Sequence, residues 1–272
     1  MANASTSRLS PVFHELLKGG EKGLVVYVTA GDPSLEATGE ILRAIDHGGA
    51  DVIELGVPFS DPLADGPVIQ RASERALKGG ATLRKVIARL PAWRAGVGAP
   101  IVLFSYYNPI LQYGLDAFAR DARRAGVDGV LAVDLTPEEA DPYLQAVRTQ
   151  ELDPVFLAAP TSTDDRLKRA AEASSGFLYL VSRTGVTGER DELATTLAPL
   201  VQRARRQTSL PLAVGFGISN PRQVRAVQQL ADAAVVGSAV VHAVETRYSS
   251  GGARAIGDFV RWLKHGTGSE PA

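Results

Sequence analysis

An α/β protein, a single-domain (β/α)8 barrel, is predicted by three observations on this 272-residue chain. Eight short apolar runs recur at steady spacing, with amphipathic stretches between them. Each run is continuously apolar rather than alternating, as parallel strands buried on both faces should be. No two-strand hairpin signal separates them, so the connections read as crossovers. The alternative is an open doubly wound sheet. That fold usually has fewer strands and a Gly-rich first turn. Here that turn is Thr29-Ala30-Gly31-Asp32-Pro33, which is not GxGxxG.

In chain order, strands are expected at 24–29, 51–55, 101–105, 129–133, 155–158, 177–181, 212–214 and 233–236. The helix at 35–47 carries Ile41, Leu42 and Ile45 on one face. The helix at 115–124 stops at Ala125-Gly126, since Gly readily takes the conformation that ends a helix. A helix at 137–148 is predicted to start with Thr136 as its cap and Pro137 in its first turn. Helices at 164–173, 192–206 and 221–229 complete the regular set. Two more are extra to the barrel: an N-terminal helix at 8–18 and an extra crossover helix at 83–94, which follows the second crossover helix. The phrases His47-Gly48-Gly49-Ala50-Asp51, Arg124-Ala125-Gly126-Val127-Asp128 and Leu230-Ala231-Asp232 each close a helix and open a strand. Residues 1–7 are expected to be a disordered N-terminus, 8–265 the barrel and 266–272 a flexible C-terminal tail.

Composition narrows the function. A 45% hydrophobic and 22% charged content is that of an ordinary globular chain. The net charge of −1, with no basic block, gives no support for nucleic-acid binding. The chain has no Cys, so thiol nucleophiles and thiolate metal sites are excluded. No apolar run of ~18 residues is present and the first residues are polar, so no membrane span or signal peptide is expected. A cytoplasmic enzyme is the expectation.

The stretch from Glu54 to Pro67 is the most informative one. Pro58, Pro62 and Pro67 stiffen a loop that carries Asp61 and Asp65 after Glu54. The plain alternative is a Pro-rich turn with solvated acids. In a parallel barrel the active site lies at the C-terminal ends of the strands. Those ends offer Thr29 and Asp32, Glu54, Tyr106-Tyr107-Asn108, Asp134, Pro160-Thr161, Ser182 to Gly188, Gly215-Phe216-Gly217 and Gly237-Ser238. None of the six Lys or four His falls there, so an amine or a metal ligand set is not expected. Ser219-Asn220-Pro221 and Gly237-Ser238 open helices whose first amides suit phosphate; tight turns without a ligand are the alternative. A phosphate handle with two carboxyl groups suggests proton transfer on a small phosphorylated molecule.

Glu54 to Pro67 resembles the signature of the tryptophan synthase alpha subunit family. The resemblance is reinforced, in the same order along the chain, by Tyr27 to Pro33, Tyr106-Tyr107-Asn108-Pro109, Ser182 to Gly188 and Val214-Gly215-Phe216-Gly217-Ile218. It covers residues 8 to 265 or so. The family is a TIM barrel that cleaves indole-3-glycerol phosphate to indole and glyceraldehyde 3-phosphate in L-tryptophan biosynthesis. The resemblance implies Glu54 as the acid/base residue and Asp65 as its partner. It implies phosphate and substrate binding at Gly188, Gly217, Gly237, Ser238, Tyr179 and Phe216. It makes residues 184–191 a lid tied to Asp61 through Thr187, and it puts Pro58 and Asn108 in loops that face a beta subunit. No metal and no cofactor are implied in this chain; pyridoxal phosphate belongs to the beta subunit of an alpha2beta2 heterotetramer. Asp134-Leu135-Thr136-Pro137 departs from the usual Asp-(Leu/Val)-Pro, which concerns the local loop shape. A stand-alone indole-releasing lyase, a non-catalytic allosteric barrel subunit, and an isomerase or aldolase for another sugar phosphate are the competing readings.

Overall fold

The structure is a computed structural model that describes residues 8–181, 190–215, 217–266 and 269–271, with the backbone alone for 190–196. Its first half runs α1 (Leu9–Lys18), β1 (Gly23–Thr29), α2 (Leu35–His47), β2 (Val52–Gly56), α3 (Pro67–Lys78), α4 (Leu83–Arg94), β3 (Ile101–Ser105), α5 (Tyr107–Tyr113), α6 (Leu115–Ala125) and β4 (Gly129–Ala132). The second half runs α7 (Asp141–Thr149), β5 (Asp153–Val155), β6 (Leu157–Ala158), α8 (Asp164–Ala173), β7 (Leu178–Val181), α9 (Arg190–Gln207), β8 (Leu212–Gly215), α10 (Pro221–Gln228), β9 (Ala233–Val236) and α11 (Ser238–His265). The strands form one parallel sheet in the order β5-β4-β3-β2-β1-β9-β8-β7-β6. β5 and β6 are successive pieces of the same stretch of chain, so the ring closes and the (β/α)8 expectation holds.

The continuous apolar runs have a simple origin. Val25, Val52, Val102, Leu131, Val155, Ala213 and Ala233 form one cluster inside the ring. Their neighbours Leu24, Val26, Ile53, Leu55, Ile101 and Leu103 belong to another, with Ile41, Leu42 and Ile45 of α2. Successive strand residues face opposite sides, and here both sides are dry. Leu9 and Phe13 of α1 join the inner cluster, with the Phe13 ring 5.5 Å from Phe177. α1 is therefore a plug for the N-terminal end of the barrel.

The recurrent Asp at strand entries has a shared task. The carboxylate of Asp51 accepts from Leu24 N at 2.6 Å, Asp128 from Ile101 N at 2.8 Å and Asp232 from Leu212 N at 2.9 Å. Each ties the start of the preceding neighbour strand. Each is also matched by a cation: Lys264 for Asp51, Arg94 at 2.9 Å for Asp128, and Lys22 at 3.1 Å for Asp232.

Four details differ from the sequence reading. The helix expected at 137–148 is split into a 3₁₀ turn, Pro137–Glu139, and α7. Pro142 lacks the N–H that a continuous helix would need there, and Thr136 makes no side-chain cap. The fifth strand starts earlier and breaks at Phe156, whose N–H goes to Ser174 Oγ at 3.0 Å. Tyr107 and Asn108, expected in a loop, begin α5; Tyr107 N donates to the Asp134 carboxylate at 2.7 Å and fixes that start from the next strand. β2 runs on to Gly56, so Glu54 sits within the strand rather than at its end.

Asp128→Ala leaves Arg94 and the Ile101 amide short of a partner at the end of the barrel opposite the mouth. A loss of about 3 kcal/mol in unfolding free energy is expected from denaturant titration, with kcat unchanged. A loss below ~1 kcal/mol would show that the strand entry is held by something else.

Candidate active site

The interior face of β2 reads Val52, Glu54, Gly56. The same alternation that buries Val52 therefore carries a carboxyl group into the barrel. Glu54 is 1% exposed and its Oε1 has no hydrogen-bond partner among the described residues. Burial pushes its pKa up to about 8 from an ordinary 4.5. Desolvation disfavours the charged form, and among the described residues no cation opposes it. Glu54 is thus a protonated acid at neutral pH.

Asp65 arrives from the loop between β2 and α3. The loop is held from two sides. Tyr106 accepts a hydrogen bond from Ala64 N at 2.9 Å through its hydroxyl, and its ring stacks on Phe59 at 4.8 Å. Gln70, one turn into α3, donates to the Asp65 carbonyl at 2.9 Å and the Pro62 carbonyl at 3.4 Å. Partial burial pushes the Asp65 carboxyl up to about 6, and a hydrogen bond with Tyr106 pulls against that. Asp65 is therefore mainly ionised where Glu54 still holds its proton. Two carboxyl groups with separated pKa values make an acid and a carboxylate at one pH.

Glu54, Asp65, Tyr179, Gly217, Gly237 and Ser238 line one cavity at the C-terminal ends of the strands. These are the predicted site residues that the fold brings together. Tyr27, Ile69, Phe104 and Leu157 supply the rest of the wall that matters here. Gly217 has φ +70°, where glycine is at ease. Gly237 precedes α11 and makes no side-chain cap to its first amides. Asn220 caps α10, accepting from Gln223 N at 3.0 Å. Pro58, Asp61 and Asn108 do not line the cavity. Pro58 is buried under the loop, while Asp61 and Asn108 are exposed. Asp61 accepts from Ser60 Oγ at 2.5 Å. Thr187, Gly188 and Phe216, with most of the expected lid, lie outside the described residues.

Sequence reasoning offered Tyr106 at the mouth without a task, and it gave neither Tyr27 nor Gln70 a place in the site. For Tyr27 a signal existed: its run on β1 aligns with the Glu54 run on β2. For Gln70 none did, because its task is set by where the loop folds back.

A parallel barrel with a buried acid and a carboxylate at its mouth is an enzyme scaffold. The family model for the tryptophan synthase alpha chain matches residues 13–258. The alpha chain of Solibacter usitatus is 50% identical over 97% of this chain and 99% of its own length. That of Geotalea uraniireducens is 48% identical over 96% and 97%. The crystal structure of tryptophan synthase subunit alpha from Legionella pneumophila superposes with a TM-score of 0.88 at 37% identity, covering 95% of this chain and 97% of that one. A structure of Mycobacterium tuberculosis tryptophan synthase gives 0.86 at 39% identity, covering 95% and 98%. The chain belongs to the tryptophan synthase alpha chain family.

The buried acid has a measurable cost. Below pH 4.5, the ordinary value, folded and unfolded chains both hold the Glu54 proton; between 4.5 and about 8 only the folded chain keeps it. Stability from this group is thus full below 4.5 and is lost as pH rises to about 8. Glu54→Gln has no such loss. Its unfolding free energy should exceed that of the unsubstituted chain by a margin growing through this window to a few kcal/mol. Parallel pH curves for the two proteins would mean that the carboxyl is solvated.

Proposed function

We propose that the mouth cavity carries out the alpha reaction of tryptophan biosynthesis, cleaving indole-3-glycerol phosphate to indole and glyceraldehyde 3-phosphate, with Glu54 as proton donor and Asp65 as its charged partner. The observation that carries the assignment of roles is the buried Glu54 carboxyl, one oxygen of which has no partner among the described residues, in the same cavity as an ionised Asp65. Breaking the bond between indole C3 and the glycerol chain would leave an electron pair on an aromatic carbon. Protonating C3 first makes the ring an electron sink. Glu54, protonated at neutral pH, gives that proton. Positive charge then develops at the indole nitrogen, and Asp65 accepts its N–H and stabilises it. The proton of the side-chain hydroxyl leaves as the aldehyde forms, and the Glu54 carboxylate is the base at hand to take it.

The phosphate is assigned to Gly217, Gly237 and Ser238, at the N-terminal end of α11 and the turn before α10. Amides there point outward and the helix end favours an anion. Gly188 and Phe216 are assigned to the same subsite by family resemblance. Ile69, Phe104 and Leu157 supply an apolar wall suited to the indole ring.

A beta subunit is the proposed partner, in an alpha2beta2 heterotetramer, with pyridoxal phosphate held there and not in this chain. The rim around the cavity supports this. Leu63, in the loop after β2, is 95% exposed, and Leu111 of α5 is 49% exposed. Exposed leucines in the loop after β2 and on α5, the helix that also carries exposed Asn108, suit a docking surface. Among the described residues no helix is long and apolar enough to cross a membrane. The absence of Cys agrees with a reducing compartment, and the cytoplasm is the proposed location.

Indole release from indole-3-glycerol phosphate tests the reading. Glu54→Gln and Asp65→Asn are each expected to lower kcat by ~10²–10⁴-fold, with substrate affinity largely kept. Near-normal turnover in either removes that residue from the chemistry. For the unsubstituted chain, kcat/KM should rise through about pH 6 as Asp65 ionises and fall above about pH 8 as Glu54 loses its proton. A rate still climbing beyond that would exclude Glu54 as the acid. Added cognate beta subunit should raise the rate strongly; no effect would point to a stand-alone lyase.

A further inference from the structure

Tyr27 and Glu54 are register partners on adjacent parallel strands, so their side chains share the interior face of the barrel. Tyr27 is 5% exposed, and its ring meets Phe104 edge-on at 5.3 Å. The hydroxyl leans over the end of β2. A Cβ on Gly56 would come within 2.1 Å of it, so glycine is required at 56 while a tyrosine stands at 27. Across the barrel the Tyr179 hydroxyl lies in the same way over Gly215, where a Cβ would come within 2.2 Å. The acid's own strand, at Gly56, and β8, at Gly215, have each given up a side chain to admit a hydroxyl.

The Tyr27 hydroxyl is lightly held. Among the described residues its hydrogen-bond partner is Thr29 Oγ1 at 3.4 Å, long for two hydroxyls, and either oxygen can donate. Glu54 meanwhile has a buried oxygen with no partner. The groups acting on Tyr27 are Asp65, Thr29, Glu54 and Tyr106, and those acting on Tyr179 are Glu54 and Tyr27. Among the described residues these make a group of acids and phenols with no cation in it.

A protonated Glu54 tolerates that setting. The carboxylate it becomes does not, because a buried anion needs donors. We propose that Tyr27 is a positioning residue for the reaction: its hydroxyl turns from Thr29 and donates to the Glu54 carboxylate once the proton has gone to the substrate. The inference rests on the acid role given to Glu54 above. In proton balance, the Glu54 O–H breaks, a C–H bond forms at indole C3, the electron pair stays on the carboxylate, and Tyr27 keeps its own proton. Tyr179 lines the same cavity and its hydroxyl feels the charge of the same acid.

The test is Tyr27→Phe in the full chain. The change removes one oxygen and keeps the ring against Phe104, so the melting temperature should stay close to that of the unsubstituted protein. Indole release is followed as a function of pH. A hydrogen bond to a charged group lost only after proton transfer should lower kcat by about 10- to 100-fold, with KM within about twofold. The alkaline limb of the kcat profile should move to higher pH, because the carboxylate has lost a donor and the acid holds its proton longer. Unchanged kcat with an unmoved limb overturns the proposal. So does a reduced kcat with an unmoved limb and a lowered melting temperature, which would make Tyr27 a packing residue. Thr29→Val frees the Tyr27 hydroxyl and should keep kcat; a loss as large as that of Tyr27→Phe also counts against the proposal. If the unsubstituted chain releases indole and Glu54→Gln does not, failure at Tyr27 is separate from failure of the acid role. If neither releases indole, or both do, the acid role itself is wrong and the Tyr27 role falls with it.

Discussion

One constraint governs the mouth of this barrel: a carboxyl group must stay protonated inside it. The shift of Glu54 to about 8 is a free-energy difference of a few kcal/mol between its two protonation states. Such a difference survives only if water cannot relax into the space. The ring of inward residues beneath the site, capped by Leu9 and Phe13 of α1, keeps the floor dry. The carboxylates at the strand entries keep the register that places Glu54 at its level. The carboxylates at the strand entries are well paired, whereas among the described residues at the mouth one Glu54 oxygen is left without a partner. An orphan of this kind at a functional site is a reserve of reactivity rather than a packing fault.

The second acid is placed differently. Asp65 lies on a loop, and a loop must be fixed before its carboxyl group is. The three prolines narrow the unfolded ensemble, but Tyr106 and Gln70 set the position. α3, which carries Gln70, is itself anchored. Arg75 binds both oxygens of buried Asp32 at 2.8 and 2.9 Å and reaches Glu245 of α11 at 2.8 Å. The chain of support runs from the turn after β1, through α3, to the loop of Asp65. Desolvation of the Asp32 carboxylate is offset by a two-point guanidinium contact, the arrangement that makes a buried charge tolerable.

Much of this was legible in the sequence because it repeats. Strands buried on both faces write continuous apolar runs, and eight of them leave few topologies. The Asp at three strand entries is legible as a repeated phrase, and each carboxylate accepts from the neighbouring strand. Glu54 and Asp65 stood out because acids in a Pro-rich stretch after a strand are costly unless used. What was not legible depends on neighbours far along the chain. α5 starts where Asp134, on the next strand end, accepts from Tyr107. The fifth strand breaks because Ser174 takes the Phe156 amide. Gln70 reads as an ordinary polar residue of a helix until the loop folds back over it.

The glycines at strand ends carry the last lesson. In sequence, Gly215 reads as a place where backbone approaches a ligand. In the structure the space beside it is taken by the Tyr179 hydroxyl, and Gly56 makes the same room for Tyr27. A glycine inside a strand weakens it, having no side chain to pack and more entropy to lose. Two such losses, one on the acid's own strand and one on β8, are balanced by what they admit: rigid tyrosine rings whose hydroxyl ends enter the barrel without a flexible stem. A serine or threonine grown from position 56 would bring a donor closer in sequence but would stand where the Tyr27 hydroxyl now stands. The barrel instead builds its donors from the opposite side of each gap, and that keeps the acid buried while leaving a hydroxyl free to answer its charge.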